Sequence, residues 1–161
     1  MSGARISDGT GASNVATGVP VLDHLLAELA RAGGFDLTLE IDPDDPEAEV
    51  DAAGTALGRA VRPRLDDGAL GEATVPADEA LAMVVVERSG RPLVVSNADL
   101  SSTRAGGLQA DLAATVLDEL ARAAGLTIHV RLIEGESSQH VLSAIFKALG
   151  IALARATRGG A

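Results

Sequence analysis

The sequence carries part of itself twice. Ala56-Leu57-Gly58 recurs 92 positions on as Ala148-Leu149-Gly150, and Glu28-Leu29-Ala30-Arg31-Ala32 recurs 91 positions on as Glu119-Leu120-Ala121-Arg122-Ala123. Two blocks in one order, with offsets a single residue apart, describe an internal duplication; the period is too long for a solenoid unit. The expectation is two similar half-domains, 1–66 and 67–161, closed on one another as a single unit of 161 residues. Hydrophobic residues make up 47% of the chain, enough for a packed interior, but aromatics only 1%, Phe35 and Phe146. The core must therefore be built from Ala, Leu, Val and Ile, and small Ala side chains let helices approach closely.

Periodicity gives the elements. Residues 1–18, rich in Gly, Ser, Thr and Asn, read as loop. Val21, Leu22, Leu25, Leu26 and Leu29 have helical spacing, and Gly33-Gly34 ends that helix. Residues 35–41 (FDLTLEI) alternate as a half-buried strand, 42–46 (DPDDP) turn, and 48–61 read as a helix stopped by Pro63. A short strand is expected at 72–76, then stronger ones at 80–87 (ALAMVVVE) and 92–97 (PLVVSN), with 88–91 as a hairpin loop between them. The polar run 101–107 reads as exposed. A helix over 108–124 capped by Gly125, a strand at 126–133 and a last helix reaching about residue 156 complete the chain. Each half ends helix–strand–helix, which is an α/β arrangement of helices on sheets, a two-layer α+β sandwich.

Composition removes some function classes. A net charge of −10 is the wrong sign for a phosphate backbone, so nucleic acid is not an expected partner. No run reads as long enough to span a bilayer and no basic-then-apolar start is present, so no membrane partner is expected and the cytoplasm is the default location. With no Cys there is neither a disulfide frame nor thiol chemistry.

The chemistry falls to three histidines. His24 lies early in an apolar helix, His129 alternates with Ile128 and Val130 and so faces the other way, and His140 begins the last helix, with Lys147 two turns on. Imidazole is a common metal ligand. Each also has a plain structural alternative: a half-buried satisfied His, a surface His, or a His at a helix start. Glu47 and Asp51 stand i, i+4 on one helix, where two close carboxylates repel unless an ion relieves them; solvation at a helix N-terminus, favoured by the helix dipole, explains them equally.

Beyond these local readings, the chain resembles a known family. The stretch TGVPVLDHLLAELARAGGFDLTLE (17–40), VPADEAL (75–81), SGRPL (89–93) and, most strongly, GLTIHVRLIEGESSQHVLSAIFKAL (125–149) resemble imidazoleglycerol-phosphate dehydratase, in the family's order and over nearly the whole chain. The resemblance implies a duplicated fold, two mixed four-stranded sheets with paired helices between them, the first half here short of an N-terminal strand. It also implies a large symmetric oligomer and dehydration of imidazoleglycerol phosphate in histidine biosynthesis.

The resemblance further implies a two-manganese site from two motifs, each a His-His pair with a Glu three positions after the second His, plus two single histidines. At those positions this chain has Glu47, Ala48 and Asp51, then Gln139, His140 and Ser143, with His24 and His129 at the single-histidine places. Manganese suits a shell of imidazole and carboxylate, but these residues alone do not complete two shells. For substrate, Arg91 matches the family's phosphate-binding Arg and Lys147 its Lys, while a second phosphate Arg falls at about Ala69; both cations also read as ordinary surface charges. Three expectations follow: a weak or inactive dehydratase, a non-catalytic subunit assembling with a complete paralogue, or a binder of another small anion. The assembly expected is a homotrimer or other low-order homo-oligomer.

Overall fold

The computed structural model describes residues 2–97 and 112–159. The element order is β1 (Gly3–Asp8), β2 (Ser13–Ala16), α1 (Pro20–Gly33), β3 (Phe35–Glu40) and α2 (Pro46–Val61), then β4 (Leu70–Ala77), β5 (Ala80–Glu87), β6 (Leu93–Ser96), α3 (Leu112–Ala124), β7 (Thr127–Glu134) and α4 (Ser138–Thr157). A mixed three-stranded sheet has the order β1-β3-β2 and a mixed four-stranded sheet the order β4-β5-β7-β6. From β1 and from β5 onward the halves run strand, strand, helix, strand, helix in the same sequence, with β4 additional in the second, consistent with the duplication.

The helices lie between the sheets and exchange partners: α1 packs on α4 and α2 on α3. The repeated Ala-Leu-Gly now has a physical reason. A methyl group on Gly150 would sit 2.9 Å from the Leu29 carbonyl carbon, and one on Gly58 would sit 3.0 Å from the Leu120 carbonyl oxygen. Leu29 and Leu120 are themselves repeat partners, so the same glycine meets the same backbone position in both crossings. Around these crossings the core is Leu22, Leu26, Leu29, Leu57, Leu117, Leu120, Ile128 and the two phenylalanines, all fully buried.

Four sequence expectations change. Residues 1–18 are not all loop: β1 pairs antiparallel and β2 parallel with β3. Their small polar residues carry little strand propensity of their own, and pairing to the apolar β3 supplies what propensity does not. The strand expected at 72–76 is eight residues long, and its small residues are there because α4 presses on it: a methyl on Gly71 would lie 2.8 Å from the Ala156 nitrogen. The 88–91 turn does not make a hairpin, because β7 inserts between β5 and β6. Lastly, α4 is long and apolar enough by length and composition to cross a membrane, but 67% of its apolar 18-residue window is buried inside the protein, as for a core helix. The expected exposed run 101–107, and the first residues of the helix expected from 108, lie outside the described residues.

Candidate functional site

Two local devices place the histidines. At the entry to α1 no side chain caps the helix. Instead the Asp23 carboxylate accepts from the Thr17 backbone N–H at 2.8 Å and from the Thr17 hydroxyl at 2.5 Å, folding the end of the preceding loop onto the first turn. This orients the helix that carries His24 and, one turn on, Glu28. At the entry to α4, Ser137 is the N-cap and its hydroxyl accepts from the His140 N–H.

The turn between β4 and β5 locks onto this helix start. The Glu79 carboxylate accepts from the backbone N–H groups of Glu136 and Ser137, at 3.0 Å each, and lies 2.5 Å from His140 Nδ1. Asp78, held at φ 52, approaches the other ring nitrogen, Nε2, at 3.3 Å. A positive φ in a non-glycine residue is costly and persists where its surroundings fix it. The Ser137 and Glu136 N–H groups, with the imidazole, hold the Glu79 carboxyl at about 2, against an ordinary 4.5. In return the hydrogen bond that the ring donates to the Glu79 carboxylate raises the His140 pKa above its ordinary 6.5.

Across the α1–α4 crossing sits a buried carboxylate. Glu28 is only 7% exposed. The Ser143 hydroxyl lies 2.9 and 2.7 Å from its two oxygens, His24 Nε2 lies 3.2 Å from Oε1, and Lys147 Nζ lies 3.8 Å from Oε2. A buried charge needs such partners to offset its desolvation. These residues border a cavity of about 560 Å³ that also reaches Asp78 and His140. The arrangement repeats in part in the other half, where Glu119 accepts from the Thr55 hydroxyl at 3.3 Å across the α2–α3 crossing.

The candidate residues therefore divide among four places. His24, His140 and Lys147 share the cavity. Glu47 and Asp51 are exposed on α2, away from it, and only Asp51 borders a groove, between α2 and β1. His129 is exposed on β7, between Val85 and Val95, on the sheet face opposite its buried neighbours Ile128 and Val130. Arg91 is exposed in the β5–β6 connection, where its backbone is pinned by Ser89 and Thr127, and it does not border the cavity of Lys147. Among the described residues, no group of three or more His, Asp or Glu side chains could hold a metal ion. Within one chain these donors do not fit a pair of manganese ions. Cation binding at the cavity would also compete with the bonds that His24, His140 and Ser143 already make.

Sequence reasoning missed Glu28, Asp78 and Glu79. For Glu28 a signal existed: it stands i+4 from His24 on one helix face. Asp78 and Glu79 lie in VPADEAL, whose link to His140 is made only by the fold.

Comparison with known proteins agrees with this architecture. Residues 17–153 match the model of the imidazoleglycerol-phosphate dehydratase family. Proteins of that name from Pelobacter propionicus and Trichlorobacter lovleyi are 40% and 42% identical over 158 residues, covering 94% of this chain and 81% of each relative. The crystal structure of imidazoleglycerol-phosphate dehydratase from Staphylococcus aureus superposes with a TM-score of 0.84 at 33% identity, covering 96% of this chain and 91% of that one. The enzyme from Pyrococcus furiosus, in complex with (S)-C348, gives 0.83 at 30% identity, covering 96% and 86%. With its duplicated helix–strand–helix halves and matched motifs, the chain belongs to the imidazoleglycerol-phosphate dehydratase family.

Proposed function

We propose that this protein is a histidine-biosynthesis dehydratase homologue whose own chain supplies a small-anion cavity but too few metal ligands for efficient dehydration. The observation that carries this reading is the state of the second motif. Gln139, His140 and Ser143 stand where the resemblance implies two imidazoles and a carboxylate, the His140 ring is bound by Glu79 and Asp78, and the Ser143 hydroxyl is committed to Glu28. Removing a proton from carbon and expelling a hydroxyl needs strong charge stabilisation, for which paired metal ions are a large source. Without a full ligand set most of that stabilisation is lost.

Lys147 and the mouth of the cavity support binding of a phosphorylated or otherwise anionic small molecule, with Arg91 as a second cation only if it comes from a neighbouring chain. The spread of His129, Glu47 and Asp51 over separate faces also favours any shared ion lying between chains of a homo-oligomer, or between this chain and a complete paralogue. A cytoplasmic location fits such a biosynthetic role.

The decisive assay gives purified protein manganese and imidazoleglycerol phosphate. Turnover at background is expected; a rate near the enzyme median of about 10 per second would overturn the reading. Calorimetric titration with manganese and zinc completes it, since tight binding abolished by His140→Ala would restore a metal site in the cavity.

A further inference from the structure

Just past the last residue of α3 stands Gly125, at φ 71. Two arginines from other elements converge on it. A methyl group on Gly125 would lie 2.9 Å from Arg88 Nε and 3.6 Å from Arg62 Nη1, so both guanidinium groups reach the same point. Arg62 is the C-cap of α2 and Arg88 follows β5, so the fold gathers them from the two halves. Their hydrogen bonds are long. Arg62 Nη1 donates to the Ala123 carbonyl at 3.4 Å, and Arg88 Nη1 donates to the Leu65 carbonyl at 3.3 Å. Both acceptors are neutral.

The charge at this point is not balanced. Two cations this close repel. Among the described residues neither guanidinium has a carboxylate partner, although the chain has 23 acidic residues against 13 lysines and arginines. Arg64, two positions after Arg62, shows the contrast, because it meets Asp8 at 2.9 Å. Arg88 Nε is in addition buried with no hydrogen-bond partner. Arg64 Nε shares that condition among the described residues, but its guanidinium is the one that Asp8 neutralises. A buried donor left without an acceptor is costly and calls for an explanation. Capping the last carbonyls of α3 accounts for Arg62. It does not account for Arg88, whose bond is to Leu65 between the halves.

We propose that Arg62 and Arg88, converging over Gly125, form a binding site for a small oxyanion, either phosphate or the phosphate group of a small metabolite. The planar fork of a guanidinium matches a tetrahedral oxyanion, and two forks supply donors from two sides. One bound dianion would neutralise both cations. It would also tie the end of α2, the end of β5 and the end of α3 together where the two halves are joined. None of the residues bordering the cavity of Lys147 takes part, so this site is separate from the one described above.

The test uses the intact protein with Lys147→Gln, which removes the cation of the cavity. Inorganic phosphate is titrated by calorimetry and followed at the Arg88 Nε–H signal by NMR. One phosphate per chain is expected, with a shift of that signal, a rise in Tm and weakening as salt is added. Adding Arg62→Gln, at an exposed position, is expected to weaken binding at least about tenfold. Adding Arg88→Leu is expected to abolish the rise in Tm. Glycerol phosphate is the second ligand: equal affinity assigns the site to the phosphate group alone, and tighter binding assigns it to a phosphorylated metabolite. The proposal is overturned if about 10 mM of either ligand leaves the Arg88 signal unmoved. It is also overturned if binding survives both arginine substitutions, or if it is lost with Lys147→Gln alone, since the cavity is then the anion site.

Discussion

Adding one methyl group at the closest helix crossing tests the architecture most directly. In Gly150→Ala the new carbon would lie 2.9 Å from the Leu29 carbonyl carbon and 3.1 Å from Leu29 Cα, and closer still to the carbonyl oxygen. None of these atoms belongs to a flexible side chain, so α1 and α4 must move apart. Overpacking of this kind costs about 1–3 kcal/mol. The substitution also gains roughly 1 kcal/mol from the better helix propensity of Ala. Contacts this short against backbone place the cost in the upper part of that range, about 2–3 kcal/mol, so the expected net loss is about 1–2 kcal/mol, or roughly 2–8 °C in Tm for a chain of this size. Gly58→Ala, the same position in the other crossing, meets the Ala123 methyl at 2.6 Å and the Leu120 oxygen at 3.0 Å, and should lose a similar amount. Gly3→Ala, with open space around it, is the control and should stay within about 0.5 kcal/mol. Urea unfolding with fitted midpoints reads all three. If Gly150→Ala is stabilised by the roughly 1 kcal/mol of propensity alone, the crossing is not close-packed and the explanation of the repeated glycine fails.

Three further outcomes are expected. Glu79, lowered to about 2, favours the folded state above about pH 4.5 and loses that contribution as pH falls toward 2, whereas His140, raised above 6.5, favours it below 6.5 and loses it as pH climbs through its raised value. Their pair is therefore fully formed between about pH 4.5 and 6.5. Glu79→Gln should bring the His140 pKa back toward 6.5 in an NMR titration, and an unchanged value would show that the carboxylate is not its cause. Glu28→Gln keeps an acceptor for Ser143 but removes the charge beside Lys147, so phosphate affinity measured by calorimetry should rise by a factor of a few; a fall would mean that Glu28 positions Lys147 for the anion. Light scattering should give a low-order homo-oligomer whose mass does not change with manganese, while a metal-dependent increase would show that bound ions join the subunits.

Much of the fold was legible because its signals are local. The leucine spacing of α1, the Gly33-Gly34 stop, the alternation of FDLTLE and the repeated Ala-Leu-Gly each act over a few residues. What escaped was set by distance along the chain. Nothing near residues 88–91 announces that β7 will enter between β5 and β6, and Gly71 and Ala73 look like poor strand residues until α4 is laid across them. The site divides the same way. The three imidazoles and Lys147 could be named from the sequence, but that Ser143 would be bonded to Glu28, 115 positions away, depends on how the helices cross. Likewise, the separation of His129 from the cavity follows from strand pairing and sheet face, and that of Glu47 and Asp51 from the packing of α2 on α3 instead of on α4.

The exchange of helix partners has a consequence for how the molecule comes together. Each half lays its first helix on the second helix of the other half, so neither half alone covers its own apolar stripes. The arrangement is that of a symmetric homodimer whose two copies have become one chain, with residues 62–69 as the join. Contacts such as Leu29 against Gly150 must close loops of more than a hundred residues, which makes folding slow for the size of the protein. The join converts what would be an association into a folding reaction; a cut there would make stability depend on protein concentration.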